Sequence, residues 1–224
     1  MSSKRIAATF GFVDLAGFTA LTEEQGDFDA ADVATRFAAL ARDALGPGDR
    51  LIKTIGDAVL VTSPEPGAAL ELVERLLAAA VADKRLPALR VGLHHGPAIE
   101  REGDVFGAAV NLAARVVAEA YAGEVLATAA VAEVAKERGI PVVDIGPVAL
   151  KNVGDPTLLS SLGFMVGASE SAICPVCQHV VDRRAAAGQL RFEDTLYWFC
   201  SLTCAAAFAS NPQWHVGDSK RDPR

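Results

Sequence analysis

RLIKTIGDAVLVTS, residues 50 to 63, is the stretch on which the fold turns. Two runs rich in β-branched side chains flank Gly56-Asp57, and a two-residue connection that begins with glycine folds one strand back on another. The stretch predicts a β-hairpin with Asp57 at its tip. Upstream, IAATFGFV at 6 to 13 has the β-branched and aromatic content of a buried strand, and Asp14 ends it. From Leu15 to Leu45 the pattern is mostly helical. Strand, helix, strand in that order predicts a crossover unit whose strands run parallel, with their carboxyl ends at one edge of the sheet. Asp14 and Asp57 both follow such ends.

A carboxylate in apolar surroundings is costly unless something pairs with it. Two carboxylates brought together repel, and a hard divalent cation is the usual remedy, leaving further positions for water and phosphate oxygens. Each aspartate also has an ordinary explanation, Asp14 as the cap of the following helix and Asp57 as a turn residue. A third cluster is GDVFGAAVNLAARVVAEAYAG, residues 103 to 123. After Asp104 its polar side chains are Asn111, Arg115 and Glu119, at i, i+4 and i+8 on one helix face. Such a stripe is often a solvated edge with an Arg115 to Glu119 pair. Gly107, followed by Ala108 and Ala109, lets the helix start approach another backbone or a phosphate. Lys53, a strand lysine, would by default extend its ammonium to solvent.

FVDLAGFT, KTIGDAVL, VGLHHGPA and GDVFGAAVNLAARV, in that order over residues 6 to about 165, resemble the successive signatures of class III nucleotidyl cyclases. The resemblance implies a ferredoxin-like α/β fold, a mixed sheet flanked by helices. It also implies that Asp14 and Asp57 bind two Mg2+ or Mn2+ ions, that Lys53 and Asp104 read the purine, that Asn111 orients the ribose, and that Arg115 stabilises the transition state. Lys151, in ALKNVGDP, is similar in position to the lysine that contacts the triphosphate. Adenine offers N1 as an acceptor and its amino group as a donor, so an ammonium and a carboxylate match it, whereas guanine presents the reverse. Lys53 with Asp104 therefore points to ATP, and the implied activity is adenylate cyclase: attack of the ribose 3′ oxygen on the α-phosphate with loss of pyrophosphate. In the family the metal aspartates of one protomer face the other four groups of its partner, which implies a homodimer with two equivalent sites.

The four cysteines fall at Cys174, Cys177, Cys200 and Cys204, as CPVC and CSLTC. Paired knuckles of this kind supply four thiolates to zinc or another soft ion. CPVCQHVVD with TLYWFCSLTCAAAFASNP resembles the YHS family of small, treble-clef-like metal-binding modules. Such a metal can be a staple for a module of about 45 residues that has too little core of its own, or a metal or redox sensor. His179 could be an alternative ligand.

Length and charge fit this division. The 224 residues and 51% apolar content suit one α/β domain and an appendage. A formal net charge of −7 argues against nucleic acid as a partner. No apolar run reaches a membrane span, and MSSKRIAATFGFVD meets a charge before any signal core is complete, so a cytoplasmic location is expected. There a CxxC pair is more often a metal site than a disulfide. The expected organisation is a cyclase domain at 1–165, a linker at 166–171, the cysteine module at 172–215 and a disordered tail at 216–224. Within the first domain we expect a helix over 67–85, a strand in RLPALRVGLHHGPAIE that turns at Gly96-Pro97, a strand at 124–128, a helix to about 138, and strands at 142–151 and 157–165. His94 and His95 are adjacent on a strand and point to opposite faces, and the implied mechanism needs neither. The alternative function is a metal-sensing regulator in which the cyclase domain is a nucleotide-binding output.

Overall fold

The computed structural model describes residues 3–164, 171–183, 185–193 and 195–216. Apart from Ser171 and Val216, the expected linker and terminal tail lie outside the described residues. The chain opens with a long strand, β1 (Ser3–Leu15), then helices α1 (Phe18–Gln25) and α2 (Asp27–Asp43). The hairpin β2 (Arg50–Ile55) and β3 (Ala58–Ser63) follows, then α3 (Pro66–Ala82), β4 (Leu89–Arg101), β5 (Asp104–Phe106) and α4 (Ala108–Ala118). The unit closes with β6 (Val125–Thr128), α5 (Ala129–Glu137), β7 (Val142–Val148) and β8 (Thr157–Leu162).

One mixed sheet runs β2-β3-β1-β4-β6-β8-β7, with β5 paired to the far end of β4. The two-residue turn is as expected: Ile55 pairs with Ala58, and Gly56 has a φ of +62° at the first turn position. β1 and β2 run in the same direction and end at the same edge, but they are not neighbours. β3 lies between them, antiparallel to both, because a hairpin partner forms faster and closer than a crossover partner. The helical stretch breaks in two at Gly26, which takes a φ of +86°. β4 does not turn at Gly96-Pro97. It pairs with β1 throughout, Pro97 opposite Ala7. The imino residue falls between the pairings to β6 at 91–93 and to β5 at 99–101, where the ladder asks no N–H of it.

The two faces of the sheet are covered differently. Val13, Val59, Val61, Val91 and Leu93 pack against α2, α3 and α5, and α3 alone buries Leu70, Leu72, Val73 and Leu76. On the other face, Phe10 and Leu60 lie under Ala109, Val110 and Ala113 of α4. That contact depends on Gly92: a Cβ there would stand 2.2 Å from Val117 N and 2.9 Å from Ala113 O. No side chain fits, and α4 lies directly on the strand backbone.

The C-terminal module is a small four-stranded and two-helix unit: β9 (Ser171–Ile173) with β10 (Val180–Asp182), β11 (Gly188–Phe192) with β12 (Thr195–Phe199), then α6 (Leu202–Ser210) and α7 (Pro212–Val216). A knuckle hairpin, a second hairpin and a helix give the treble-clef-like arrangement. Its buried core is Cys174, Val181, Phe199, Phe208 and Val216. Phe208 gathers the rings of Tyr197 and Phe199 at 4.9 and 5.2 Å. Ser201 caps α6, its hydroxyl accepting from the Cys204 N–H at 3.1 Å.

Candidate active site

Register brings the first acids together. Asp14 lies opposite Ala58, the residue after Asp57, and opposite Arg90 on its other side. Asp14 caps no helix, since the N-cap of α1 is Gly17 and no side chain bonds there. Instead Arg90 Nε donates to Asp14 Oδ2 at 2.7 Å. Asp57 is the turn residue and also a neighbour of Asp14. Burial, and then the Asp14 carboxylate, push its pKa from 3.8 to about 6. Two partly buried carboxyl groups, one held against its own ionisation by the other, suit a hard divalent cation.

The second group assembles where β5 reaches β2. A bulge between Leu51 and Lys53 shifts the register so that Lys53 pairs with Leu60 and shares its face, the one that carries α4. Lys53 Nζ then donates to both carboxylate oxygens of Asp104, at 2.8 and 2.7 Å. Asp104 Oδ1 also accepts from the Val105 N–H at 2.8 Å. The hydrogen bond from Lys53 holds the Asp104 carboxyl below its ordinary range. The ammonium sits 5.9 Å from the centre of the Phe106 ring. On α4, Asn111 is exposed and Arg115 half-buried, above buried Ala113 and Val116. Arg115 makes no ion pair among the described residues, so the Arg115 to Glu119 pair of an ordinary solvated edge does not form. Lys151 is exposed in the turn between β7 and β8.

The two histidines point apart, as strand neighbours must. His94 Nδ1 lies 2.8 Å from Thr128 Oγ1, and His95 Nδ1 lies 3.0 Å from Thr9 Oγ1. Sequence reading missed Arg90. Its signal was present: an arginine between buried Leu89 and Val91 in a strand needs an acid partner. Identifying that acid required the pairing of β1 with β4.

The four cysteines converge. Their Sγ atoms all lie within 4.8 Å of one another, with Cys177 to Cys200 at 3.2 Å and Cys200 to Cys204 at 3.8 Å. A tetrahedral ion with Zn–S bonds of about 2.3 Å sets its sulfurs about 3.8 Å apart, so zinc fits with little movement. Hydrogen bonding, foremost with the Cys177 thiol, pulls Cys174 down to about 4, while burial pushes Cys204 up to about 11. His179 stands outside the cluster. Its carbonyl accepts from the Cys174 N–H at 2.9 Å, and its ring Nδ1 lies 3.2 Å from the Cys177 carbonyl.

Comparison with known proteins bears on the larger unit. The family model described as the adenylate and guanylate cyclase catalytic domain matches residues 2–161. A pH-sensitive adenylate cyclase of Mycobacterium tuberculosis is 42% identical over 125 residues, 56% of this chain and 32% of that protein. An adenylate cyclase of Streptomyces coelicolor is 38% identical over 134 residues, 59% of this chain and 35% of that one. The chain spans about a third of the length of these curated relatives. Among solved structures, an adenylate cyclase of Trypanosoma brucei in its monomeric state superposes with a TM-score of 0.65 at 24% identity, over 79% of this chain and 95% of that one. The adenylyl cyclase CyaB of P. aeruginosa gives 0.62 at 23% identity, over 72% and 96%. These likenesses carry the fold. Among the described residues, no helix is long and apolar enough to cross a membrane.

Proposed function

This chain belongs to the adenylate and guanylate cyclase catalytic domain family, and from that premise we propose that it is an adenylate cyclase that forms 3′,5′-cyclic AMP from ATP. The Lys53 to Asp104 pair, bonded at 2.7 and 2.8 Å, is the observation that carries this reading. It presents one ammonium and one carboxylate side by side, the polarity that adenine N1 and its amino group require. A site built to bond one purine edge leaves buried groups unpaired with the other purine, which discriminates by orders of magnitude.

In the reaction, the bond from the ribose 3′ oxygen to the α-phosphorus forms as the bond to the bridging β-phosphate oxygen breaks, and pyrophosphate departs with its electron pair. Asp14 and Asp57 would hold two Mg2+ or Mn2+ ions, and these would supply acidification of the 3′ hydroxyl and charge to offset the leaving group. Asn111 orients the ribose, and Arg115, which has no ion pair among the described residues, donates to the charge that develops at the α-phosphate. Arg90 and Lys151 are cations for the polyphosphate. Arg90 bonds Asp14 in this structure, and a cation on Asp14 would free it for phosphate.

Among the described residues the groups interact as two sets, Asp14 and Asp57 with each other and Arg90, and Lys53 with Asp104. Asp14 pairs across from Arg90 at the start of β4, while Asp104 pairs across from Arg101 at its end. Around the Lys53 to Asp104 pair, Ile55, Ile99 and Phe106 are exposed. A twofold homodimer would cover them and bring the acids of one protomer to the base-reading set of the other, twice. In the tail, Cys174, Cys177, Cys200 and Cys204 bind zinc as a YHS-type module. Four free thiols in contact also favour a reducing, cytoplasmic setting.

The test is a cyclase assay with ATP and GTP side by side, with Mn2+ and with Mg2+. We expect kcat/KM for ATP to exceed that for GTP by about a hundredfold or more. Absence of cyclic AMP from the dimer, with both metals tried, would overturn the proposal.

A further inference from the structure

The thiol knuckle is built into the end of the strand pair that presents Asp14. β1 and β4 pair as far as Leu15 and Leu89, and the ladder continues with the Ala16 N–H donating to the Ala88 carbonyl at 2.9 Å. The next bond in line leaves the sheet domain. The Ala88 N–H donates to the carbonyl of Gln178 at 2.9 Å. Gln178 immediately follows Cys177, and its own N–H donates to the Cys174 carbonyl at 2.9 Å. Its side-chain Nε2 donates to the Pro175 carbonyl at 3.0 Å. The residue is held at a φ of +59°, a conformation a non-glycine residue seldom adopts without support.

The side chain of Gln178 also fills the space over Gly17. A Cβ on Gly17, which has a φ of +72°, would meet Gln178 Cγ at 3.0 Å. Gln178 therefore touches the chain on both sides of the acid edge: Gly17 lies three residues after Asp14, and Ala88 two before Arg90, the partner of Asp14. A second contact lies at Gly123, where a Cβ would meet Ile173 Cδ1 at 3.3 Å. Next to these contacts lies a cavity of about 230 Å³, lined by Leu77, Leu89, Gly123, Ile173 and Val180 among others. Gln178 thus joins the module to the sheet through both its backbone and its side chain.

We propose that Gln178 is a positioning residue for Asp14 and Arg90, so that zinc in the cysteine cluster sets the affinity of the cyclase site for its own divalent ions. The inference rests on the cyclase and zinc readings above. Four sulfurs drawn onto one ion fix the loop from Cys174 to Gln178, and that loop fixes Ala88 and Gly17. Without the ion the thiols separate, the Gln178 carbonyl leaves the Ala88 N–H, and Asp14 loses its set position relative to Asp57.

The experiment uses the full chain. Zinc content is measured, then zinc is removed with a chelator selective for it over Mg2+ and Mn2+. Expected on removal is a rise of about threefold or more in the Mn2+ concentration for half-maximal activity, reversed by adding zinc. A loss of folded protein would lower the plateau and leave that concentration unmoved. Independently of activity, the Ala88 amide should exchange its hydrogen about tenfold faster without zinc. Gln178→Gly, which keeps the backbone carbonyl but not the side-chain contact, should bind zinc normally and show a smaller rise in Mn2+ requirement. Gln178→Asn should lie between it and the parent. Unchanged Mn2+ requirement and Ala88 exchange in zinc-free, dimeric protein would overturn the inference. An inactive zinc-loaded parent would instead refute the cyclase reading, and an active parent that binds no zinc would refute the metal reading.

Discussion

The sheet domain and the cysteine module solve the same problem, holding a few polar groups in fixed positions, by opposite means. In the domain the scaffold is apolar burial. Phe10, Leu60, Leu76 and Leu126 are fully enclosed, and the chemistry-bearing side chains stand at strand ends and on the outer side of α4. In the module one reactive group is part of the core itself, while Cys200 stays exposed. Cys174 is fully buried and belongs to the core with Phe199 and Phe208. An active-site change in the domain should therefore leave the fold standing, whereas a change of ligand in the module removes the scaffold with the site.

The sharpest way to break this contrast is Asp14→Ala. Cyclase activity should fall by about a thousandfold or more, while the melting temperature and zinc content stay close to the parent. Mixing that inactive protein with inactive Arg115→Ala should restore about a quarter of parental activity, since half of randomly formed dimers carry one intact site of two. No recovery would argue against sites shared between protomers. Next in size, Cys174→Ser should weaken zinc binding by about a hundredfold or more and open β9 to β12 to rapid amide exchange, with exchange in β3 and in β1 away from Asp14 unchanged. If the strands of the sheet loosen equally, the two regions are not separate in stability.

The smallest effect concerns Asp57. Its carboxyl is raised from 3.8 to about 6, so the folded chain holds that proton more tightly than the unfolded one. Without Mg2+ or Mn2+, raising the pH from about 4 through about 6 should take stability away, and below that window the loss should vanish. Melting temperatures across this range should show the trend in the parent. Asp57→Asn should flatten it, because no charge remains to repel Asp14. A slope unchanged by the substitution would place the titration elsewhere.

Much of this was legible in the sequence because it is local. The hairpin at Gly56-Asp57 follows from two residues, and the adjacency of Asp14 and Asp57 follows from two strands ending at one edge. The break at Gly26 and the reach of β4 past Pro97 were not, because each depends on what lies alongside the chain. A proline tells which N–H is missing but not whether the sheet asks for it. The bulge that turns Lys53 toward Asp104 is likewise set by the partner strand, although the pairing of the two side chains was implied by the resemblance. Arg90 and Gln178 lay furthest from view. Their importance comes from contacts 76 and 90 positions away along the chain, Arg90 with Asp14 and Gln178 with Ala88.

The bare backbone at Gly92 limits how this protein can be regulated. With no clearance between β4 and the turn of α4 around Val117, the helix can neither slide nor roll on the strand. Asn111 and Arg115 are thereby tied closely to the strand that carries Arg90. In the proposed homodimer, a signal that tunes the site would act by tilting one protomer against the other or at the strand ends that carry the acids.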